Sequence, residues 1–273
     1  MRADARRAGT VAWHNRPMHL RTRTHLIAVV LLVVWHPATC AATADAAPVT
    51  LAEVQIGVCA PLPAVVAALS LRASGPVTTT WLFDDAQLSL LTRGLRLRLR
   101  VKTGSADLTL KVADQDCARL PATAIPAGQG KCEMDLHGAT MTGAVSLSQP
   151  LSRARADALV AGATRVQDAL SPAQVNFLRD VAGGGPLPTT LLPLGPLSIS
   201  TQRAADRSYA VDVTTLPGGE QYLEVTQKVR VGEAERTRHR LEQELARAGV
   251  ALCADQAGQA AIKMRKLLPA VVR

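Results

Sequence analysis

Aromatic residues are scarce in this chain, with three Trp, two Tyr and two Phe among 273 residues. That is too few for the stacking platforms on which nucleic-acid bases lie. Histidine is scarce as well. Beyond residue 44 only His137 and His239 remain, each isolated and expected at the surface rather than as a ligand. No Ser-His-Asp or Cys-His arrangement is visible, so any hydrolytic reaction would use water as its nucleophile. The cysteines have neither the paired spacing of a zinc site nor histidines nearby. There is no internal repeat and no low-complexity linker. Beyond the first 44 residues no apolar run approaches the roughly 20 residues that span a bilayer.

One apolar run stands near the start, Leu26 to Trp35, preceded by Arg16, Arg21 and Arg23 and followed by small residues. A basic segment, a short apolar core and a small-residue region describe a signal peptide. Cleavage after Ala44 or Ala46 fits, and Met18 begins a more compact version of the same signal. Residues 1–44 are thus expected to be a signal region, and 45–273 an exported domain without a stable membrane anchor, periplasmic or secreted. Four cysteines follow the leader: Cys59, Cys117, Cys132 and Cys253. An even number in an oxidising compartment suggests two disulfides, and four cysteines allow three connectivities. Cys117–Cys132 would close a loop rich in Pro and Gly, and Cys59–Cys253 would tie the start of the domain to its end. This pairing is the favoured one.

The formal charge of +9 overstates the basic character of the exported part, which holds 25 Lys and Arg against 21 Asp and Glu. So small an excess does not argue for nucleic acid. Nineteen of those 25 are Arg, whose planar fork matches phosphate or carboxylate.

Periodicity places the elements. Leu95 to Lys102 alternates throughout between apolar and basic residues, which sets Leu95, Leu97, Leu99 and Val101 on one face of a strand. Arg96, Arg98, Arg100 and Lys102 take the other face. Thr103-Gly104 turns the chain, and Asp107 to Lys111 returns with Leu108 and Leu110 on the apolar side. Further strands are expected at 51–58, 78–83, 131–136, 194–203, 207–215 and 221–230, and helices at 61–72, 151–169, 171–182, 233–249 and 256–267. Opposite charges at helical spacing on 233–249 read as a solvated, ion-paired face. Met264 and the leucines after it are expected to pack the last helix. The total is a mainly antiparallel sheet of about eight strands in one domain.

Several strands carry charge on one face, and unpaired charges cannot all enter an apolar core. Either those faces meet bulk water or the sheet closes around a polar interior. A closed barrel of about eight strands can hold one small ligand. Interior Arg and Lys would suit a polyanion, and neighbouring carboxylates a bridging divalent cation.

Here the segment order becomes specific. Thr79 to Arg100, with Phe83-Asp84-Asp85, Leu88, Arg93-Gly94 and Leu97-Arg98-Leu99-Arg100, is similar to the aromatic-Asp, Arg-Gly, Leu-Arg-x-Arg pattern of the CYTH family, the triphosphate tunnel metalloenzymes. Leu108-Thr-Leu-Lys111, Lys131-x-Glu133-x-Asp135, Tyr222-Leu-Glu-Val-Thr226 and Ala261-Ile-Lys263 resemble its later strands and terminal element. The resemblance covers about residues 52–268. It implies an α+β fold: an eight-stranded antiparallel β-barrel or tunnel with flanking helices, its strand leucines packed outward. It also implies a linear triphosphate or other phosphorylated anionic small molecule as ligand, with Mg²⁺ or Mn²⁺ as cofactor. Arg98, Arg100, Lys111, Arg203 and Lys263 would bind the phosphates. Glu53, Glu133, Asp135 and Glu224 would hold the metal, and Glu53, Glu133 and Glu224 would serve catalysis.

The metal half departs from the family's pattern. Its opening Glu-x-Glu-x-Lys reads Glu53-x-Gln55-x-Gly57, and its late Glu-x-Glu reads Glu224-x-Thr226. Gln and Thr hydrogen-bond but bring no negative charge to a cation. The expected functions are therefore binding of a phosphorylated polyanion, metal-dependent triphosphate hydrolysis, and a structural or protein-partner role on the same fold.

Overall fold

The computed structural model of the protein describes residues 51–271 apart from 122, 183, 184, 207, 257 and 258. The expected signal region lies outside the described residues. Nine strands form the sheet: β1 (Leu51–Val58), β2 (Arg72–Asp84), β3 (Leu95–Lys102), β4 (Ser105–Val112), β5 (Gly130–His137), β6 (Thr140–Leu151), β7 (Leu192–Arg203), β8 (Ala210–Thr215) and β9 (Gln221–Arg230). The helices are α1 (Leu62–Ala68), α2 (Ser89–Thr92), α3 (Arg153–Val160), α4 (Pro172–Asp180), α5 (Ala234–Arg247) and α6 (Gln259–Val271), with short 3₁₀ turns at Val166–Ala169 and Val231–Glu233.

The strands close into a barrel in the order β1-β5-β6-β4-β3-β2-β7-β8-β9. The sequence predicts eight antiparallel strands, and the structure corrects both number and direction. The additional strand is β6, and β1 pairs with β5 in parallel. The two corrections share one cause. Directions can alternate all the way round a ring only when the number of strands is even, so a ninth strand forces one parallel neighbour pair. Two helix limits shift as well. The first helix stops at Ala68 because β2 already begins at Arg72, and the 151–169 segment divides into α3 and a 3₁₀ turn.

The alternation of β3 and β4 survives as written. Lys102 pairs with Ser105 across the turn, and Arg96, Arg98 and Arg100 lie opposite Lys111, Thr109 and Asp107. Leu95, Leu97, Leu99, Leu108 and Leu110 are almost fully buried. They pack outside the barrel with Val145 and Leu147 of β6, against Ala156 and Leu159 of α3 and Phe177 and Leu178 of α4. On the opposite wall Val54, Ile56, Val211, Val213 and Val225 pack against Leu241 and Leu245 of α5. A smaller cluster joins Leu194, Leu197 and Leu216 to Met264 and Leu267 of α6. The apolar cores therefore lie between barrel and helices, and the charged strand faces turn inward. Area removed from water drives this arrangement at roughly 25 cal/mol per Å².

α4 begins with a capping box in which Ser171 and Gln174 satisfy each other's backbone N–H groups. The Gln174 amide is buried and also donates to the Leu108 and Leu147 carbonyls at 3.0 and 2.9 Å, fastening the helix to β4 and β6. On α5, Arg238 pairs with Glu235 at 3.0 Å and with Glu242 at 2.7 Å, and Arg240 pairs with Glu244 at 3.5 Å, giving the expected ion-paired face. Both favoured disulfides are present, Cys59–Cys253 and Cys117–Cys132. Among the described residues no helix is long and apolar enough to cross a membrane.

Candidate functional site

The barrel's lumen is built by the polar halves of alternating strands. β3 supplies Arg96, Arg98 and Arg100, and β4 supplies Asp107, Thr109 and Lys111. β5 supplies Lys131, Glu133 and Asp135, and β1 supplies Glu53 and Gln55 in register with Asp135 and His137. On β9, Glu224, Thr226 and Lys228 face the same way, opposite Gly57, Gln55 and Glu53. Asp212 of β8 sits between Thr201 of β7 and Glu224. β6 presents no charged residue on this side, only Thr140, Thr142, Ala144, Ser146, Ser148 and Pro150. Those small side chains leave room for β4 and β5 to meet across it.

They do meet. The Lys111 ammonium pairs with the buried Asp135 carboxylate. Glu133 accepts from Lys228 at 2.9 Å and is also paired with Lys131. Despite the opposing effect of burial, these two lysines hold its carboxyl below the usual range. Glu53 accepts from the Gln55 amide at 3.2 Å.

Cationic groups are less completely matched. Arg98 is half-buried on the inward face of β3, opposite Thr109. Burial, together with repulsion from Arg100 and Arg96, pushes its guanidinium down to about 10, so it stays charged at neutral pH. Its Nε is buried without a hydrogen-bond partner, and so is Thr80 Oγ1 on the neighbouring strand. A buried guanidinium N–H left unpaired is costly.

One end of the lumen forms a cavity of about 130 Å³ lined by Gln55, Arg96, Lys111, Asp135, His137, Thr142, Glu224, Gln256 and Lys263, with Gly94 and Ala113 at its edge. A second cavity of about 460 Å³ lies outside the barrel beside α4, but its only charged lining residue is Arg179. That guanidinium is already paired with Asp180 at 2.6 Å. The smaller cavity is the one with convergent chemistry. Burial raises the Glu224 carboxyl, with Lys263 opposing the shift and Glu53 adding to it. Burial likewise lowers the Lys263 ammonium.

Lys111, Lys263, Asp135 and Glu224 therefore share the cavity. Arg98, Arg100, Glu53 and Glu133 belong to the lumen beyond it. Arg203 ends β7, exposed, opposite Arg72 and Ala210, away from that group. Four polar cavity residues carry no role in the sequence pattern: Arg96, His137, Thr142 and Gln256. Arg96 was legible as one of the alternating arginines but drew no role. His137 was expected at the surface, yet it lies on the inward face of β5, and burial lowers its imidazole. Its period-two spacing from Asp135 was the available signal. Gln256 gave none. It reaches the cavity by bonding both ways to the Gly57 backbone, accepting at 2.6 Å and donating at 3.1 Å.

A divalent metal fits the donors poorly. Among the described residues no three His, Cys, Asp or Glu side chains converge to hold one. Glu133 and Asp135 each already carry lysine ammonium groups.

The fold these elements define is CYTH-like, a helix-wrapped tunnel. It is similar to HpAC1 of Hippeastrum, assigned as an adenylyl cyclase and having a dominant triphosphatase activity, at 15% identity and a TM-score of 0.52, over 80% of this chain and 96% of that one. An assigned adenylate cyclase of Bacillus halodurans is similar at 16% identity and a TM-score of 0.46, over 76% of this chain and 96% of that one. No family model and no curated protein sequence matches the chain.

Proposed function

We propose that this protein binds a phosphorylated, polyanionic small molecule in its tunnel, with a linear triphosphate as the reference ligand. The observation that carries the reading is the inward row of Arg96, Arg98 and Arg100 on β3, with the Arg98 Nε buried and unpartnered, in a lumen where Glu133 and Asp135 are already paired with lysines. Arg98, Arg100 and Lys111 would neutralise phosphate oxygens along the lumen. Arg96 and Lys263 would close on the end of the chain in the cavity, and Arg203 would meet the ligand at the exposed end of β7. Export fits this reading. Residues 1–44 would serve as the signal and 45–273 as the domain that works outside the cytoplasm, where Cys59–Cys253 and Cys117–Cys132 stay oxidised. The partner is a small anion, not nucleic acid.

The second reading is hydrolysis, favoured by the dominant triphosphatase activity of HpAC1. It would assign Mg²⁺ or Mn²⁺ to Glu53, Glu133, Asp135 and Glu224, and catalysis to Glu53, Glu133 and Glu224. Because these carboxylates do not converge, no reaction step is drawn through a metal. The deciding measurement is calorimetric binding of tripolyphosphate beside phosphate release. Binding without release supports the proposal, and release dependent on Mg²⁺ or Mn²⁺ supports hydrolysis. Neither binding nor release would leave a structural role.

A further inference from the structure

We propose that the tunnel binds its phosphorylated anion without a divalent cation, because lysine ammonium groups already occupy two of the four carboxylates that would hold one and the other two do not converge with them. The inference deepens the binding reading and rests on it.

Three observations combine. First, Glu133 accepts from Lys228 at 2.9 Å and is paired with Lys131 as well, so ammonium groups from β9 and from its own strand flank it. Second, the Asp135 carboxylate is buried against Lys111, leaving little of its surface for another cation. Third, the inward carboxylates not held this way do not converge on a metal position among the described residues, and two of them, Asp107 and Asp212, already accept from Thr109 and Thr201. Glu53 lies in register with Lys228 and accepts from Gln55. Glu224 is sunk beside Lys263 at the closed end.

Mg²⁺ demands near-ideal octahedral geometry and is held through one or two carboxylates plus phosphate oxygens. On the β5 wall, that requirement could be met only with an ammonium displaced from Glu133 or Asp135. An ammonium is a compact point charge with three donors. Lys131 and Lys228 on one carboxylate therefore bring to this wall the two positive charges a divalent ion would bring. This wall has its counter-cations built in, while the inward row Arg96, Arg98 and Arg100 leaves the Arg98 Nε without a partner.

The two schemes assign opposite signs to Glu133. If it were a metal ligand, Glu133→Gln would weaken binding. If it is a carboxylate that occupies two ammonium groups, Glu133→Gln frees Lys131 and Lys228 for phosphate and removes a negative charge from the wall. The test is titration calorimetry of the oxidised protein with inorganic tripolyphosphate, in EDTA and in Mg²⁺, for the wild type and for Glu133→Gln. The expected result is binding in EDTA that Mg²⁺ does not strengthen, with Glu133→Gln tightening it roughly threefold or more. A Lys131→Met, Lys228→Met double variant should bind weakly in EDTA and regain affinity with Mg²⁺. Wild-type binding that appears only with Mg²⁺, and is lost in Glu133→Gln, would overturn the inference while leaving the binding reading intact. No binding in either condition would overturn the binding reading, and this inference with it.

Discussion

Arg98 combines two costs that a ligand would relieve together, a buried charge and an orphaned N–H. Arg98→Ala should therefore weaken tripolyphosphate binding by about tenfold or more, the worth of one charge-assisted contact, without lowering stability. Calorimetry and urea unfolding of the same sample would check both halves. Glu224 gives a prediction with a definite pH sign. Burial raises its folded pKa above the unfolded value near 4.5, opposed by Lys263. Between those two values the folded state binds more protons than the unfolded one. The contribution of Glu224 to stability must then fall as pH rises through that window. Glu224→Gln should flatten this decline and stabilise the protein at neutral pH. Urea midpoints from pH 4 to 8 in wild type and variant would show it. The carboxyl of Glu133 is lowered instead, so its pairing with Lys131 and Lys228 supports the fold above pH 4.5 and is lost on acidification.

Among the elements, α4 depends on one side chain. Gln174 accepts from the Ser171 N–H at 3.0 Å and donates to two strand carbonyls, so its amide is fully used. Gln174→Leu would remove the Ser171 N–H's capping partner and both donations to the β4 and β6 carbonyls. Such a change costs about 1–3 kcal/mol for each unsatisfied group, and denaturant unfolding would read a loss at the upper end of that range. The strands differ in how openly they announce themselves. β3 repeats Leu-Arg without interruption, so its period and both faces were legible. β6 reads Thr-Met-Thr-Gly-Ala-Val-Ser-Leu-Ser-Gln-Pro-Leu, with small polar residues inward and a glycine outward. Gly143 is required there because a Cβ would come within 1.9 Å of the Gln115 carbonyl. A strand that leaves space for its neighbours carries a weak alternation of its own, and missing it cost both the strand count and the parallel pair.

For the whole molecule, the Cys59–Cys253 bridge joins positions 194 residues apart. It anchors the segment that leads into α6. Cys253 N–H bonds the Gly57 carbonyl at 3.0 Å, and Cys59 N–H bonds the Ala251 carbonyl at 2.9 Å. Replacing both cysteines with serine should cost about 2–5 kcal/mol. It should also speed amide exchange in α6 and weaken anion binding through loss of Lys263 and Gln256 from the cavity. Exchange monitored by mass spectrometry would separate this from a uniform loss of stability. The sequence by itself determined the alternating faces, the β3–β4 hairpin and the ion-paired α5, which follow from period and local charge, and it favoured one of three disulfide connectivities. Only the tertiary structure decided which charges neutralise one another. The Lys111–Asp135 and Lys228–Glu133 pairs reach over an intervening strand, and their closeness depends on barrel order, register and the small side chains between them. That placement left Glu133 and Asp135 occupied, brought His137 and Gln256 to the cavity, and set Arg203 apart at the end of its strand.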